Sequence, residues 1–227
     1  MTSKVGPSSS QDYIAAVFEM AEESIPTVQA ELARWMGVSR ASVSEAVKRM
    51  RRDGLVEIGG RELRFTSAGE ELARHVVRRH RLAERFLVEV IGLPWHRAHE
   101  EAEVWEHAIS DEVEERLTVI LHDPPTCVHG NPIPGTAHPV DYSDLVSLGA
   151  CRPGQRVVLQ RLTEDLELDA DVMRYFEDGG LMPGAIIEVR STAPDGTLTL
   201  EVDGRQVGLS AKLTDNLWVR PDGVSAP

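Results

Sequence analysis

Apolar residues recur at helical intervals as far as Leu121 and alternate with polar residues beyond Gly149. The first helical stretch covers residues 11–23, where an apolar side is formed by Tyr13, Ile14, Val17, Phe18 and Ala21. Spacings of three and four residues place these side chains on one face. The stretch is therefore predicted to be an amphipathic helix.

A helix, a turn and a second helix are predicted next. Thr27 is the expected N-cap of the first helix, which runs to Met36. Gly37 follows the helix directly and suits the left-handed backbone conformation that is common there. Ser39 is the expected cap of the second helix, which runs to about Asp53. Two short alternating runs follow, residues 55–58 and 63–66, with Gly-Gly at the turn between them. The pattern indicates a helix-turn-helix with a β-wing.

Three further helices are predicted before the spacing changes. A long helix covers residues 66–92, Pro94 separates it from a helix that carries His99, and a third helix covers residues 110–121. Residues 123–139 are rich in proline and indicate a domain boundary or an extended crossing segment.

The last part of the chain is predicted to be a small β-barrel with one helical insert near residues 169–177. Its alternating runs are separated by Gly, Pro and Asp turns and lie at residues 156–160, 186–189, 197–202 and 217–219. The predicted class is mainly α with a small β part. The predicted domains are a winged helix-turn-helix at residues 1–74, a helical domain at 75–145 and a barrel domain at 150–227.

Composition narrows the class of protein. No apolar run among the 227 residues approaches membrane-spanning length, and the Ser-rich start lacks the apolar core of a signal peptide, so we expect a cytoplasmic protein with no membrane partner. Cys127 and Cys151 are too few and too isolated for a disulfide framework or a Cys-x-x-Cys metal site. We give these two residues no role.

Charge is distributed unevenly along a chain whose formal net charge is −13. Residues 28–66 contain eight Lys and Arg against five acids, a local excess of three positive charges. Residues 99–117 contain eight acids and one Arg. The positive charge of the first region suits DNA binding although the whole chain is acidic. A bound cation would offset the negative charge of the second region.

The second helix of the helix-turn-helix carries the candidate DNA contacts. Its first half offers side chains for base edges, namely Ser39, Arg40, Ser42, Ser44 and Glu45. Positive side chains for phosphates follow at Lys48, Arg49 and Arg52, and Arg61 lies at the tip of the wing. Glu45 suits this surface only if it accepts a hydrogen bond from cytosine N4. The alternatives are a winged helix that contacts protein and a small helical bundle that resembles a helix-turn-helix by coincidence.

Metal-capable side chains recur at helical spacing in the middle domain. His80 and Glu84 are four residues apart, and a second face is predicted from His99, Glu103, Glu106 and His107. Two such faces packed together would enclose a divalent cation. The alternative is a solvated charged face. We expect surface or capping roles for the remaining histidines, His75, His96, His122, His129 and His138.

Three motifs in this order carry a resemblance to a known family. They are Arg-His-Arg-Leu-Ala-Glu-Arg-Phe at residues 79–86, His-Glu-Glu-Ala-Glu-Val-Trp-Glu-His at 99–107, and Gly-Asn-Pro-Ile-Pro-Gly at 130–135. With the winged helix before them, they closely resemble the diphtheria-toxin-repressor family of metal-dependent transcriptional repressors. The resemblance covers nearly the whole chain. It implies a homodimer, a middle domain that dimerises and binds metal, an SH3-like barrel, and repression at a palindromic operator.

The resemblance also implies two metal sites. One resembles His80, Glu84 and His99, completed by Glu164 and Glu167 of the SH3-like domain. The other resembles Glu103, Glu106 and His107, completed by Asp12 of the first helix. Iron-responsive members have Met and Cys where this chain has Asp12 and Glu103, so the pair resembles the manganese-responsive branch. The chain departs from that branch at Ala15, where an extra acid is frequent, and from iron-responsive members at Glu167, where Gln is usual.

The expected function is therefore a manganese-responsive repressor of metal-homeostasis genes, manganese uptake among them. Hard carboxylate ligands with imidazole suit Mn²⁺, with Fe²⁺ a near neighbour, and Zn²⁺, Co²⁺ or Cd²⁺ are expected to substitute in vitro. The expected partners are double-stranded DNA and a second copy of the chain, with one dimer or two on each operator, and no small-molecule substrate. The alternatives are an iron(II)-dependent repressor, a metallohydrolase, and a winged-helix protein whose metal is only structural.

A switch follows from the position of Asp12. Without metal, the carboxylates of Asp12, Glu103 and Glu106 repel one another, which leaves the first helix and its winged helix free to move. A bound cation turns that repulsion into a clamp. The clamp would set the spacing of two recognition helices near a multiple of one DNA turn, which is about 34 Å.

Overall fold

The computed structural model describes residues 9–222. They form two compact units, divided between Arg79 and His80. The division falls within helix α4, Ser67–Phe86. Among the described residues, no helix combines the length and the apolar character needed to cross a bilayer.

The first unit is a helix-turn-helix followed by a β-wing, as predicted. Its elements are α1 (Ser10–Glu22), α2 (Gln29–Trp35), α3 (Arg40–Arg52), β1 (Val56–Gly59), β2 (Glu62–Phe65) and the beginning of α4. The two strands pair antiparallel from Val56 opposite Phe65 to Gly59 opposite Glu62. The core takes one face from each helix and one side chain from each strand, including Ile14, Met20, Leu32, Val43, Val47, Met50, Val56 and Leu63.

The helix caps of the first unit are predicted correctly at Ser39 and wrongly at Thr27. The Ser39 hydroxyl accepts a hydrogen bond from the Ser42 backbone N–H at 3.1 Å and caps α3. Thr27 instead donates its hydroxyl to the Leu63 carbonyl at 2.9 Å. The next residue, Val28, forms a β-bridge with the wing, so the segment is extended and α2 begins only at Gln29.

The helical part of the second unit contains the end of α4, α5 (Ala98–Trp105) and α6 (Asp111–Ile120). After α4 the helix widens into a π-turn, Leu87–Ile91, and ends at Gly92, whose φ of 77° is in the left-handed region. A short 3₁₀ turn, Trp95–Arg97, leads into α5. The predicted helix through His107 is wrong, because α5 ends at Trp105.

The rest of the second unit is a six-stranded antiparallel sheet in the order β3-β8-β4-β5-β6-β7. Its strands are β3 (Val146–Ser147), β4 (Arg156–Leu162), β5 (Ile186–Thr192), β6 (Leu198–Val202), β7 (Arg205–Leu209) and β8 (Leu217–Pro221). A 3₁₀ turn follows β3 (Leu148–Ala150), and the helices are α7 (Glu164–Glu167), α8 (Ala170–Gly179) and α9 (Ala211–Thr214). The sequence patterns did not reveal β3, β7, α7 or α9. Trp95 packs into the core of this sheet, which ties the helical part of the unit to the barrel.

Candidate metal centre

The end of α4 supplies the first two predicted ligands. His80 and Glu84 are one helical turn apart and are both buried. Nε2 of His80 lies 3.3 Å from Oε1 of Glu84. Their neighbours Leu82 and Ala83 are also buried, in a helical core that holds this turn of α4 in place. The spacing argument therefore places both side chains on one inward face, as predicted.

His99 joins this pair from α5. Its Nδ1 atom lies 3.2 Å from Nε2 of His80 and 3.6 Å from Oε1 of Glu84. The candidate ligand atoms of the three residues lie within 4.8 Å of one another, close enough for one cation to bridge them. The structure thus brings together the three helical ligands of the first predicted site.

Helix α7 brings the two barrel carboxylates to the same place. Oε2 of Glu167 lies 3.3 Å from Nδ1 of His99, and Oε1 of Glu167 accepts a hydrogen bond from Asn131 at 2.6 Å. Glu164 is equally buried, but it is held by Arg81, whose Nη2 and Nε donate to Oε1 at 2.7 and 3.2 Å. The side chains of Arg81 and Glu164 are 1% and 4% exposed, so this is a buried ion pair. The sequence analysis missed Arg81 because a single Arg in a basic helix carries no distinguishing signal.

Two further residues reach the cluster from the proline-rich segment, and the expectation of a surface or capping role for His129 is wrong. His129 is fully buried, with Nδ1 at 3.0 Å from Oε1 of Glu84 and 2.8 Å from Oε2 of Glu167. Cys127 lies with Glu84 and His129 in a second group of candidate ligand atoms within 4.8 Å. A Cys-x-His pair before a conformationally restricted Pro segment is the signal that could have revealed them.

Gly130 allows this segment to approach the barrel. Its φ is 91°, and a Cβ atom there would lie 2.1 Å from the Gln160 carbonyl oxygen of β4. Directly before it, the His129 carbonyl accepts a hydrogen bond from the Leu162 N–H at 3.0 Å. The backbone pairing at this contact holds the imidazole of His129 in the cluster.

The electrostatics of the cluster follow from burial opposed by close charges. Burial alone would lower the pKa of His80, His99 and His129, but neighbouring carboxylates outweigh it and raise each pKa well above its usual value. Burial alone would raise the pKa of Glu84, but His129 is the main group that reverses this effect, and the pKa falls well below its usual value.

The pKa values of the two barrel carboxylates and of the thiol do not all shift in the same direction. Burial and the nearby Glu164 raise the pKa of Glu167. For Glu164 itself, the Arg81 guanidinium outweighs burial and lowers the pKa. Burial and the charge of Glu84 raise the pKa of the Cys127 thiol to about 12. The thiol is therefore protonated in the metal-free cluster.

Several buried polar atoms of the cluster have no hydrogen bond among the described residues. They include Oε2 of Glu84 and Nε2 of both His99 and His129. Buried polar atoms are normally satisfied, so unsatisfied acceptors and imidazole nitrogens grouped in one place need a ligand. Carboxylate oxygen and imidazole nitrogen are donors that divalent transition metals accept. The residues therefore fit a divalent cation.

The residues of the second predicted metal site, Asp12, Glu103, Glu106 and His107, do not converge from a single helical face. Glu106 turns inward, with Oε2 at 2.6 Å from Nδ1 of His80, whereas the side chain of Glu103 is 59% exposed. Nε2 of His107 lies 3.6 Å from Oε1 of Glu106, beyond the end of α5. Asp12 belongs to the first unit, where its carboxylate accepts hydrogen bonds from the Ser9 backbone and hydroxyl. Metal binding by these four residues stays a prediction.

The candidate DNA contacts lie on α3 and the wing. Arg40, Ser42, Glu45, Lys48 and Arg52 are exposed on α3, Ser44 is half-buried, and Arg61 is exposed at the turn of the wing. Ser39 is the cap of α3, and its hydroxyl lies 2.9 Å from that of Ser42. The half-buried Arg49 donates its Nε–H to Ser10 at 2.8 Å and is thus partly engaged with α1. Contact of these residues with DNA stays a prediction.

The sequence matches three known domain families. Residues 7–62 match the N-terminal DNA binding domain of iron dependent repressors, and residues 66–135 match their metal binding and dimerisation domain. Residues 146–221 match the FeoA domain. These matches confirm the predicted architecture, including the SH3-like domain at the end of the chain.

Individual relatives agree with these matches. The chain is 39% identical to the iron-dependent repressor IdeR of Mycobacterium tuberculosis over 204 residues, which cover 86% of this chain and 88% of that protein. It is 35% identical to the diphtheria toxin repressor of Corynebacterium diphtheriae, with 91% and 94% covered. A manganese-dependent transcriptional repressor in complex with manganese has a similar structure, with a TM-score of 0.81, 32% identity, and 94% and 100% covered. The chain belongs to the diphtheria-toxin-repressor family of metal-dependent transcriptional repressors.

Proposed function

We propose that this repressor responds to Mn²⁺. The observation that carries the proposal is the buried cluster, in which the carboxylates of Glu84, Glu164 and Glu167 converge with imidazoles on one place. Carboxylate ligands are the donors in this cluster that suit Mn²⁺. The similar structure of a manganese-dependent repressor with manganese supports the same choice.

The buried cluster offers His80, Glu84 and His99 as ligands, with Glu167 and His129 beside them. The ion would take the place of protons on the imidazoles and would bind the unsatisfied oxygen and nitrogen atoms of the cluster. Arg81 keeps Glu164 oriented through the buried ion pair, and Asn131 does the same for Glu167. Such partners of metal ligands fix ligand orientation and tune affinity.

An iron(II)-dependent repressor is the second candidate. Its support is the name of the 39% identical relatives, which are iron-dependent repressors, together with the softer Cys127 thiol at the edge of the cluster. Fe²⁺ and Mn²⁺ accept nearly the same ligands. Metal choice is therefore a matter for direct measurement with each ion.

The proposal extends to DNA and to assembly. The family has a DNA-binding and a dimerisation domain, and we propose that a homodimer binds a palindromic operator, with one dimer or two on each site. Apolar side chains of the helical part that are exposed in the single chain, Val104, Val119 and Ile120, suit the dimer contact. We propose domain limits at residues 1–74, 75–145 and 150–227, and the expected cytoplasmic location stays a prediction.

Fluorescence anisotropy tests the proposal. Chelator-stripped protein is titrated into labelled duplex from its own promoter at buffered free Mn²⁺, Fe²⁺ under anaerobic conditions, and Zn²⁺. We expect specific binding that appears with Mn²⁺ and disappears when chelator is added. Stronger activation by Fe²⁺ than by Mn²⁺ would favour the iron-dependent alternative, and equal activation would leave metal choice to the cellular supply of each ion. Binding without metal would contradict a metal switch.

A matched pair of variants connects the DNA response to the buried cluster. Glu84→Gln removes a carboxylate of the cluster, whereas Glu89→Gln changes an exposed acid that pairs with Arg85 one turn away. We expect only Glu84→Gln to lower the metal content measured by mass spectrometry and to raise the Mn²⁺ concentration needed for DNA binding. If both variants respond like the parent protein, the buried cluster does not control DNA binding.

The second predicted set has a separate test. Asp12→Ala is expected to weaken Mn²⁺-dependent operator binding severely while the circular dichroism spectrum stays unchanged. Unchanged DNA titrations at saturating Mn²⁺ would remove Asp12 from the switch.

A further inference from the structure

One acidic side chain lies on the outer face of the recognition helix α3. The inner face of α3 is fixed by the buried residues Val43, Ala46, Val47 and Met50. Opposite them, Ala41, Glu45, Lys48 and Arg52 form an exposed stripe along the helix at spacings of four, three and four residues. Glu45 is the acid in this stripe, and its side chain is 73% exposed.

Glu45 lies in the half of α3 that a recognition helix presents to base edges. The helix begins just after its cap, Ser39, so Glu45 is in the second turn. Helix-turn-helix proteins use the N-terminal part of this helix to contact bases in the major groove. A carboxylate there faces repulsion from the phosphates on both sides, so it suits the surface only if a base supplies a donor.

Lys48 pairs with the carboxylate of Glu45. Its Nζ atom donates to Oε1 of Glu45 at 2.7 Å, one turn further along the helix. This hydrogen bond and the charge of Lys48 lower the pKa of Glu45. An ionised carboxylate is only an acceptor, so it can accept from a base but cannot donate to one.

The bases differ in what they offer such an acceptor. In the major groove cytosine presents its N4 amino group as a donor, whereas guanine presents the acceptors N7 and O6. Adenine has a donor at N6, but its neighbouring N7 acceptor would repel a carboxylate, and thymine has an acceptor at O4. Cytosine is therefore the base that an oriented, ionised Glu45 matches.

We propose that Glu45 is a specificity-determining residue that selects a cytosine in each operator half-site, with Lys48 positioning its carboxylate. This inference rests on the proposed function, in which the first unit reads operator DNA. It goes beyond that function by assigning one base to one side chain.

Selection from a random pool of duplexes tests the inference. Full-length protein with saturating Mn²⁺ is used as the parent, as Glu45→Gln, and as the control Glu31→Gln. Glu31 is also an acid in an i,i+3 ion pair, with Arg34, but it lies on α2. Glutamine has nearly the same helix propensity as glutamate, so neither substitution should disturb its helix.

We expect the parent and Glu31→Gln to recover the same motif with a fixed cytosine in each half-site. Glu45→Gln should change that position alone, towards adenine, because a glutamine amide matches the adjacent acceptor and donor of adenine. In anisotropy titrations the parent should prefer cytosine there by about 5- to 100-fold over other bases, and the variant should lose that preference.

The possible failures can be told apart. A parent protein that recovers no motif would contradict the proposed sequence-specific repressor itself. If the parent and Glu45→Gln recover one motif with the same preference at every position, Glu45 does not read a base and its ion pair with Lys48 is only a surface contact.

Discussion

Arg81→Met removes a guanidinium that is buried in the candidate metal site. Methionine keeps an unbranched apolar side chain of similar length, so the substitution mainly deletes charge and hydrogen bonds. The deletion leaves the carboxylate of Glu164 buried without its partner. It also removes a hydrogen bond from Arg81 to the Pro132 carbonyl.

The structure sets the expected cost. Removing one partner of a buried ion pair typically destabilises a protein by about 3–5 kcal/mol, because the remaining charge stays buried and uncompensated. Native domains are stable by only about 5–15 kcal/mol, so this is a large fraction of the total. The double variant Arg81→Met with Glu164→Gln leaves no unpaired charge, and we expect it to recover most of the loss.

The loss of unfolding free energy is measured by urea denaturation, with hydrogen exchange and mass spectrometry as the probe. Exchange in individual peptides reports on the second unit separately from the first. Excess chelator is present throughout, so that metal binding does not add to stability. Arg97→Met is the matched control, since Arg97 pairs with Glu101 at 3.8 Å on the surface and should contribute about 0–1 kcal/mol.

Two results would refute the reasoning. One is a loss for Arg81→Met no larger than that for the surface control. The other is a double variant as unstable as Arg81→Met itself, which would show that the unpaired Glu164 charge is not the cause.

Three further predictions concern local structure, each measured by urea denaturation against the parent. Glu177→Gln should cost about 1–2 kcal/mol at neutral pH, because the carboxylate accepts from the His96 backbone and ring. Burial raises the pKa of Glu177, but these hydrogen bonds outweigh it and the pKa is lowered. The stability lost in Glu177→Gln should therefore be full above the usual carboxyl pKa of about 4.3 and should disappear as the pH falls through the lowered pKa. Gly130→Ala should cost more than about 2 kcal/mol, since its Cβ would collide with the Gln160 carbonyl, and an unchanged midpoint would disprove that contact. Ser39→Ala should cost about 1 kcal/mol through loss of the α3 cap, whereas Ser39→Gly should cost only a few tenths.

The fold of the first unit was largely predictable because its signals are local. The Ser39 cap, the apolar face of α3 and the wing turn each depend on residues close in sequence. Thr27 failed as a predicted cap because a contact distant in sequence, to the Leu63 carbonyl, took its hydroxyl. Strand β7 was not predicted because its polar and apolar residues alternate only weakly. It lies at the edge of the sheet, where its position is determined by pairing with β6.

The candidate site was predictable only for residues that lie within one continuous helix. His80 and Glu84 share one turn of α4, and their common face follows from that spacing. Glu106 lies just past the end of α5, so its inward direction follows from the local turn and not from the helical period. His129 reaches Glu84 across 45 residues, a contact set by the close approach at Gly130, which no local pattern contains.

The missed residues complete the charge balance of the site. Four buried carboxylates face one guanidinium and three imidazoles, namely Glu84, Glu106, Glu164 and Glu167 against Arg81, His80, His99 and His129. Nearby carboxylates outweigh burial and raise the pKa of each imidazole well above its usual value, which favours the protonated, positively charged rings when no metal is bound. Metal ligands must give up their protons, so a divalent ion bound by these imidazoles would replace positive charge that protons carry in its absence. The buried carboxylates therefore keep their counter-charge in both states, which avoids the cost of an uncompensated buried charge and suits a site that gains and loses its ion reversibly.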